Sequence, residues 1–213
     1  MFAAVRVVAA MIVALAVGVQ ALPPLTPVDE GPRDASFLAF RTALLDIIAR
    51  KDAGALDGIV DPNIRISFGD EGGLDAFKAM WKPEEAASPL WNELRRLLRL
   101  GGTFTGPDAF VAPYVFARWP MDVDAFTHVA IIGSRVHVRA RPGLDQPILD
   151  TLSYAILPLA DASPETDGWT AVGLPGGRRG VIASSLVRSP LDYRAFFSRV
   201  DGRWRMAMLV SGD

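Results

Sequence analysis

The closing segment of the chain constrains the fold more than any other stretch. Two runs of β-favouring residues, "YRAFFSRV" and "RWRMAMLV", flank Asp201-Gly202, a dipeptide typical of a two-residue hairpin turn. Alternation along the second run predicts one apolar face, made of Trp204, Met206, Met208 and Val210. An isolated hairpin is only marginally stable in water, so other strands of the chain must pair with it.

Two earlier segments are the predicted partners of this hairpin: "IRISF", Ile64 to Phe68, and the run Phe110 to Phe116. Helices are predicted in "DASFLAFRTALLDIIAR", "DAGALDGIV", "LDAFKAMW" and "SPLWNELRRLLRLGG" from apolar spacing and capping residues. We therefore expect an α+β fold in which residues 35–127 and 190–213 form one domain of helices and antiparallel sheet. In the alternative, the hairpin extends the intervening β region as extra strands.

Short apolar runs separated by proline and glycine fill residues 128–189, including "HVAIIG", "VHVRARPG", "PILDTL", "AILPLA", "WTAVGL" and "GVIASSLV". Several short strands at such close spacing predict a small β-barrel. In "VHVRARPG", period-two alternation directs Val136 and Val138 inward and the basic residues between them outward. We expect this barrel to be inserted before the last hairpin.

The same segment resembles a bacterial Src homology 3 (SH3-like) domain, a barrel of five to six strands. The family begins with a "V-x-V-R-x-x-P" strand and turn, which is matched by Val136, Val138, Arg139 and Pro142. Its next two apolar strands are matched by Ile148, Leu149 and Leu152, and then by Ala155 to Leu159. Its "G-W-x-x-V" strand, glycine-rich basic turn and final strand follow in order, with matches at Gly168, Trp169, Val172, Gly176, Gly177, Arg178, Arg179, Gly180, Val181 and Ile182. The resemblance implies a module that binds a peptide or peptidoglycan, with the candidate ligand-binding residues Trp169, Arg139, Arg178 and Tyr154. Thr170 and Val181 stand where many relatives carry aromatic residues of the ligand groove.

The flanking segments resemble the cone-shaped nuclear transport factor 2-like fold, in the order of their elements and in "V-D-G-R-W-R" near the C-terminus. This resemblance implies an alternative function, the binding or hydrolysis of a small molecule beside a purely structural barrel. An apolar pocket for that molecule would be ringed by Phe68, Phe77 and Trp204. Enzymes of the fold place an acid–base pair inside the cone, for which the candidates are Asp70, Glu71 and Asp75. An exposed turn is the simpler interpretation of "FGDEGG".

Residues 1–21 have the layout of a secretory signal peptide: Arg6, an apolar run from Val7 to Val19, and a small residue at Ala21. The apolar run is shorter than the roughly 20 residues that span a bilayer as a helix. An uncleaved anchor is the alternative. Residues 22–34 are proline-rich and predict an extended spacer. We expect a periplasmic or secreted protein with no stable membrane span after cleavage.

Composition excludes several classes of function. The absence of cysteine excludes disulfides, thiolate metal sites, thiol nucleophiles and lipid attachment at a cysteine. The formal net charge of −2 is too small to indicate a nucleic-acid partner. No catalytic, cofactor or metal-ligand motif is recognisable, and His128 and His137 are expected to be ordinary polar residues. The charged helix face with Glu93, Arg95, Arg96 and Arg99 is expected to face solvent.

The sequence therefore favours an exported envelope protein without enzymatic activity, in which the SH3-like module serves protein or cell-wall interaction. A cone-shaped domain that binds or hydrolyses a small molecule is the alternative.

Overall fold

The computed structural model describes residues 22–69, 71–160 and 165–212, so the predicted signal peptide and Asp70 lie outside the described residues. Within these ranges the helices are α1 Ala35–Arg50, α2 Ala53–Asp57, α3 Leu74–Trp81, α4 Leu90–Arg99 and α5 Tyr114–Ala117. The strands are β1 Val60–Arg65, β2 Thr103–Gly106, β3 Ala109–Ala112, β4 His128–Ile131, β5 Val136–Arg139, β6 Ile148–Leu152, β7 Ile156–Pro158, β8 Glu165–Thr166, β9 Trp169–Leu174, β10 Arg178–Ala183, β11 Val187–Arg188, β12 Arg194–Val200 and β13 Arg203–Val210. No helix in this part of the chain is long and apolar enough to cross a membrane.

The closing hairpin, β12 and β13, lies inside a five-stranded sheet of order β1-β13-β12-β3-β2. Strand β12 pairs with β3 in antiparallel orientation, and β13 pairs with β1 in parallel orientation. The pairing predicted for the hairpin is therefore confirmed, and its alternative placement as extra strands of the middle region is wrong. The mixed α+β class is confirmed as well, although one strand pair is parallel instead of antiparallel. We call α1–α4 and this sheet the α+β unit.

Two local boundaries differ from those predicted around the first strand. Helix α2 ends at Asp57, and β1 already begins at Val60 and ends at Arg65, so Phe68 lies beyond the strand. Pro62 lies within β1. Proline lacks a backbone N–H and is tolerated on an edge strand, where one side of the backbone forms no ladder. The edge position of β1 in the sheet explains its place there.

A β-bulge corrects the apolar face predicted for the hairpin. Phe196 lies opposite Met208 while Phe197 lies opposite Met206, so Ala207 is an extra residue on β13. An extra residue reverses the alternation of side chains along a strand. Leu209 therefore joins Trp204 and Met206 in the core, and Met208 is excluded from it.

Aromatic side chains fill the space between the helices and the sheet. The ring of Phe37, on α1, contacts four others at centroid distances between 4.1 and 5.8 Å; these belong to Phe104, Phe110, Phe197 and Trp204. Helix α1 is oriented by Asp34, whose carboxylate accepts a hydrogen bond from the backbone N–H of Phe37 at 2.8 Å. Burial of these rings is the main source of stability in the α+β unit.

Residues 128–188 form two small antiparallel sheets, of order β6-β5-β10-β9-β8 and β11-β4-β7, which we call the two-sheet unit. A bridge between Leu159 and Val172 joins one sheet to the other. Side chains from both sheets share one core, made of Val129, Ile131, Val136, Val138, Leu157, Val172, Leu174, Ile182 and Val187. The inward positions predicted for Val136 and Val138 are confirmed, and His137 is exposed on the outside.

The proline-rich residues 22–34 form a strap along both units, contrary to the extended spacer predicted for them. Leu25 is buried, and its backbone N–H donates to the carbonyl of Tyr154 in the two-sheet unit at 2.7 Å. Asp29 forms a bridge with Gly102 and a salt bridge with Arg41 of α1, whose guanidinium nitrogen is 2.5 Å away. Proline lacks a backbone N–H, but the residues between the prolines can still form individual hydrogen bonds and salt bridges. Such contacts leave no periodic pattern in the sequence.

The close approach of Gly102 to β3 allows a test of the packing in the sheet. A Cβ atom on Gly102 would lie 2.1 Å from the carbonyl oxygen of Val111 and 2.8 Å from the Phe110 ring. Gly102→Ala is therefore expected to lower the free energy of unfolding by about 1–3 kcal/mol, the usual cost of overpacking. Urea denaturation of the whole chain measures it. Gly106→Ala, with no atom within 4 Å of the new Cβ, is the matched control and should cost much less.

Candidate functional site

Helix α4 presents one apolar and one charged face, as its sequence predicts. Its apolar side chains are buried in the core of the α+β unit: Leu90, Trp91, Leu94, Leu97 and Leu98. The other face looks across a groove toward the two-sheet unit. A cavity of about 580 Å³ occupies this groove; its walls are Arg96 from α4, Val129, Leu159, Gly168, Thr170, Ser184, Ser185 and Val187 from the two-sheet unit, and Arg188, Ser189 and Asp192 from the segment that leads to β12. We call it the α4 groove.

Arg96 lies where several cavities meet. Three further cavities, of about 270, 330 and 400 Å³, are also lined by this side chain. One extends toward Arg99 and Ile132, and another extends toward Trp81 and Tyr193. The α4 groove is thus bordered by further cavities around Arg96.

A buried ion pair joins the two walls of the groove. Arg188 at the end of β11 is almost completely buried, and its guanidinium donates to the Glu93 carboxylate of α4 at 3.0 Å. The same guanidinium donates to the backbone carbonyl of Tyr193. Its Nε–H has no hydrogen-bond partner among the described residues. Burying a hydrogen-bond donor without a partner costs free energy, so an unpaired N–H at this position is unusual.

Asp192 lies beside this pair, and burial raises the pKa of its carboxyl group. Two interactions oppose that increase: the charge of Arg188, and a hydrogen bond that the Ser189 backbone N–H donates to the carboxylate at 3.1 Å. On the opposite wall the hydroxyl oxygens of Thr170 and Ser184 lie 2.9 Å apart. The groove therefore combines arginines with several hydroxyl groups.

The charge of the groove is opposite to that of the chain. The groove and the neighbouring cavities of about 270 and 330 Å³ are together lined by four arginines, Arg95, Arg96, Arg99 and Arg188, and by two carboxylates, Glu93 and Asp192. With the carboxylates ionised, the balance is four positive against two negative charges, or +2, whereas the whole chain carries −2. Such local accumulation of positive charge attracts anionic groups.

The structure does not bring the four predicted ligand-binding residues together. Trp169 is half-buried on the outer face of β9, opposite Ala183 of β10, and Arg139 lies on the same sheet face with its guanidinium on the Gln146 carbonyl at 2.6 Å. Arg178 is exposed at the start of β10. Tyr154 contacts the strap through its backbone carbonyl. Trp169 does not line the α4 groove, although its neighbours Gly168 and Thr170 do.

The apolar pocket proposed for a cone-shaped domain is filled. Phe77 and Trp204 are packed in the core, whereas Phe68 is half-exposed, with its ring centroid 4.9 Å from the guanidinium carbon of Arg194. Of the suggested acid–base residues, Glu71 and Asp75 are exposed. Among the described residues no group of three His, Asp or Glu side chains could hold a metal ion.

The α4 groove is the site that reasoning from sequence missed. The apolar stripe of α4 correctly predicted a charged opposite face, on which Arg96 and Arg99 are exposed, but it did not predict the contact of Glu93 with Arg188. Glu93 and Arg188 are 95 residues apart in the chain. No local pattern joins them, so only the return of the chain from β11 to β12 reveals the groove.

Comparison with known proteins does not assign the chain to a family: no family model, curated protein or solved structure matches it. The geometry of the groove is therefore the basis for inferring its function.

Removal of one member of the buried ion pair should destabilise the protein strongly. Glu93→Ala leaves the Arg188 charge buried without its carboxylate, and a loss of about 3–5 kcal/mol in the free energy of unfolding is expected. Chemical denaturation measures it. Glu85→Ala, which removes an exposed pair with Lys82 at 3.5 Å, should cost less than about 1 kcal/mol. Equal effects would contradict the assignment of Arg188–Glu93 as a buried pair.

Two aspartates should show opposite dependences of stability on pH. Because the Asp192 pKa is raised in the folded protein, folding takes up protons there, and the wild type should gain melting temperature relative to Asp192→Asn as pH falls from 7 to 4. The Asp34 pKa is lowered by hydrogen bonds from the Ser36 hydroxyl and the Phe37 backbone N–H. The wild type should therefore lose melting temperature relative to Asp34→Asn as pH falls below about 4. Slopes of the same sign would contradict these shifts.

Proposed function

We propose that this chain is an exported, non-enzymatic binding protein of the bacterial cell envelope, which holds a cell-wall peptide in the α4 groove. In this proposal the two-sheet unit is an SH3-like module inserted before the last hairpin of the α+β unit. The module supplies one wall of the groove, and α4 supplies the other.

The SH3-like interpretation is supported by the strands themselves. The five segments that carry the resemblance coincide with β5, β6, β7, β9 and β10, and their apolar residues share one core. Near Trp169 the outer sheet face carries the small side chains of Ala171 and Ala183. A ligand groove on this face would need larger, aromatic side chains at such positions. This favours a ligand position in the α4 groove over one on the outer sheet face.

The single observation that carries the proposal is the open cavity of about 580 Å³ between α4 and the two-sheet unit. Ligand sites form preferentially in concave surfaces between domains, where two walls can contact the ligand at once. Here both walls are preformed, because the Arg188–Glu93 pair and the strap fix one unit against the other. A preformed groove lowers the entropic cost of binding.

The test is retention of the purified chain on isolated cell-wall fragments. Wild-type protein should be retained, and Ser185→Trp should reduce retention by about tenfold or more, since Ser185 lines two of the cavities and a large ring would obstruct the groove. Thr151→Trp is the matched control. Thr151 is exposed on β6 opposite His137, outside the cavity linings, and its replacement should leave retention unchanged.

Two results would contradict this proposal. Failure of the wild type to be retained would exclude binding to the cell wall. Retention that Trp169→Ala abolishes but Ser185→Trp does not affect would place the ligand on the outer sheet face. Melting temperatures of all variants establish that each remains folded.

A further inference from the structure

We propose that the α4 groove recognises carboxylates, and that its ligand is an extended peptide with two or more acidic side chains bound mainly through Arg96. This inference rests on the proposed function, because it assigns a chemical class to the ligand of the same groove. It adds a specificity that neither the SH3-like resemblance nor the shape of the cavity implies.

Arg96 is suited to this role by its exposure. Its side chain is exposed and lines the main cavity, where its charge also opposes the rise in the pKa of the neighbouring Asp192 carboxyl group. Most arginines near it are engaged: Arg188 binds Glu93, and Arg95 donates to the Asn92 side chain at 3.3 Å. A guanidinium is a donor only and matches a carboxylate with two parallel hydrogen bonds.

Two further donors near Arg96 lack acceptors. The Nε–H of Arg188 and the indole N–H of Trp81 are both buried without a hydrogen-bond partner among the described residues. Arg188 lines the main cavity, and Trp81 lines the neighbouring one that Arg96 also borders. Both atoms are shielded from solvent, so the groups that a ligand in the cavities can reach are the exposed side chains, Arg96 above all.

The arrangement of charge favours several carboxylates over one. Arg96 and Arg99 are exposed and three residues apart on α4, hence neighbours on one helix face. The cavity that reaches Arg99 and Leu100 shares Arg96 and Ser185 with the one that Arg188 and Ser189 line. An extended peptide lying along α4 would meet Arg96 and Arg99 in turn, with the Asp192 carboxylate in the main cavity.

The experiment is calorimetric titration of the purified chain, residues 22–213, with two defined probes. These are acetyl-Ala-Glu-Glu-Ala-amide and its uncharged counterpart acetyl-Ala-Gln-Gln-Ala-amide. The glutamate probe should bind at least about tenfold more tightly, because each hydrogen bond to a charged group contributes more than a neutral one. Its affinity should fall as salt is raised from about 0.05 to 0.5 M, since mobile ions screen exposed charges.

Variants of Arg96 locate the effect. Arg96→Ala should weaken binding of the glutamate probe by about tenfold, and Arg96→Lys should recover part of the loss because it keeps the charge without the paired donors. Arg141→Ala removes an equally exposed arginine that lines none of the cavities, and it should leave the affinity unchanged. Arg96 is exposed, so these variants are expected to fold, and melting temperatures verify it.

The outcomes separate this inference from the proposed function. If neither probe binds, if both bind equally, or if Arg96→Ala has no effect, carboxylate recognition is overturned. If the glutamate probe binds through Arg96 but cell-wall fragments do not retain the protein, the inference stands and the cell-wall ligand is wrong. If retention on the wall is lost in Ser185→Trp but is insensitive to salt and to Arg96→Ala, the proposed function stands and this inference is wrong.

Discussion

The position of the closing hairpin is the constraint on which the rest of the structure depends. Strands β12 and β13 fill the middle of the five-stranded sheet, between β1 and β3. The chain therefore cannot end in the two-sheet unit; it has to return to the α+β unit after β11. That return places Arg188 and Asp192 beside α4 and creates the groove. Without the hairpin the sheet would also lose β13, the strand that joins β1 to the other strands. The hairpin therefore determines both the sheet and the groove.

The main effect of the ion pair between Arg188 and Glu93 is to fix the position of β11 relative to α4. Desolvation of two charges offsets much of their attraction, so a buried pair adds little net stability compared with apolar side chains of similar size. Its geometric requirement is strict, however, because either charge left alone in the interior is costly. The pair thus holds the end of β11 at one place on α4. The strap does the same from another side, through the Tyr154 carbonyl and the bridge to Gly102. Together they keep the groove at a defined width.

Features with a local cause could be predicted from the sequence, and features with a tertiary cause could not. Asp201-Gly202 specifies its turn by backbone conformation, Asp34 caps α1, and the alternation in β5 places Val136 and Val138 inside. The bulge at Ala207 has no local signature, so Leu209 was not expected to replace Met208 in the core. The strap lacks periodicity because its contacts are individual hydrogen bonds and one buried leucine. The groove itself depends on residues about 95 positions apart, for which period and composition contain no information.

The location of the groove has a consequence for how specificity could arise in such a protein. The two walls carry different groups: the two-sheet unit contributes hydroxyl groups and the buried Arg188, whereas α4 contributes the exposed Arg96 and Arg99. Hydroxyl groups accept and donate and therefore discriminate poorly between ligands, while exposed arginines attract any anion. In the proposed binding mode, a ligand must be narrow enough to enter the groove and must carry its negative charges on the side of α4. Shape and charge are then selected by different units, and the fixed contact between the units makes the two requirements simultaneous.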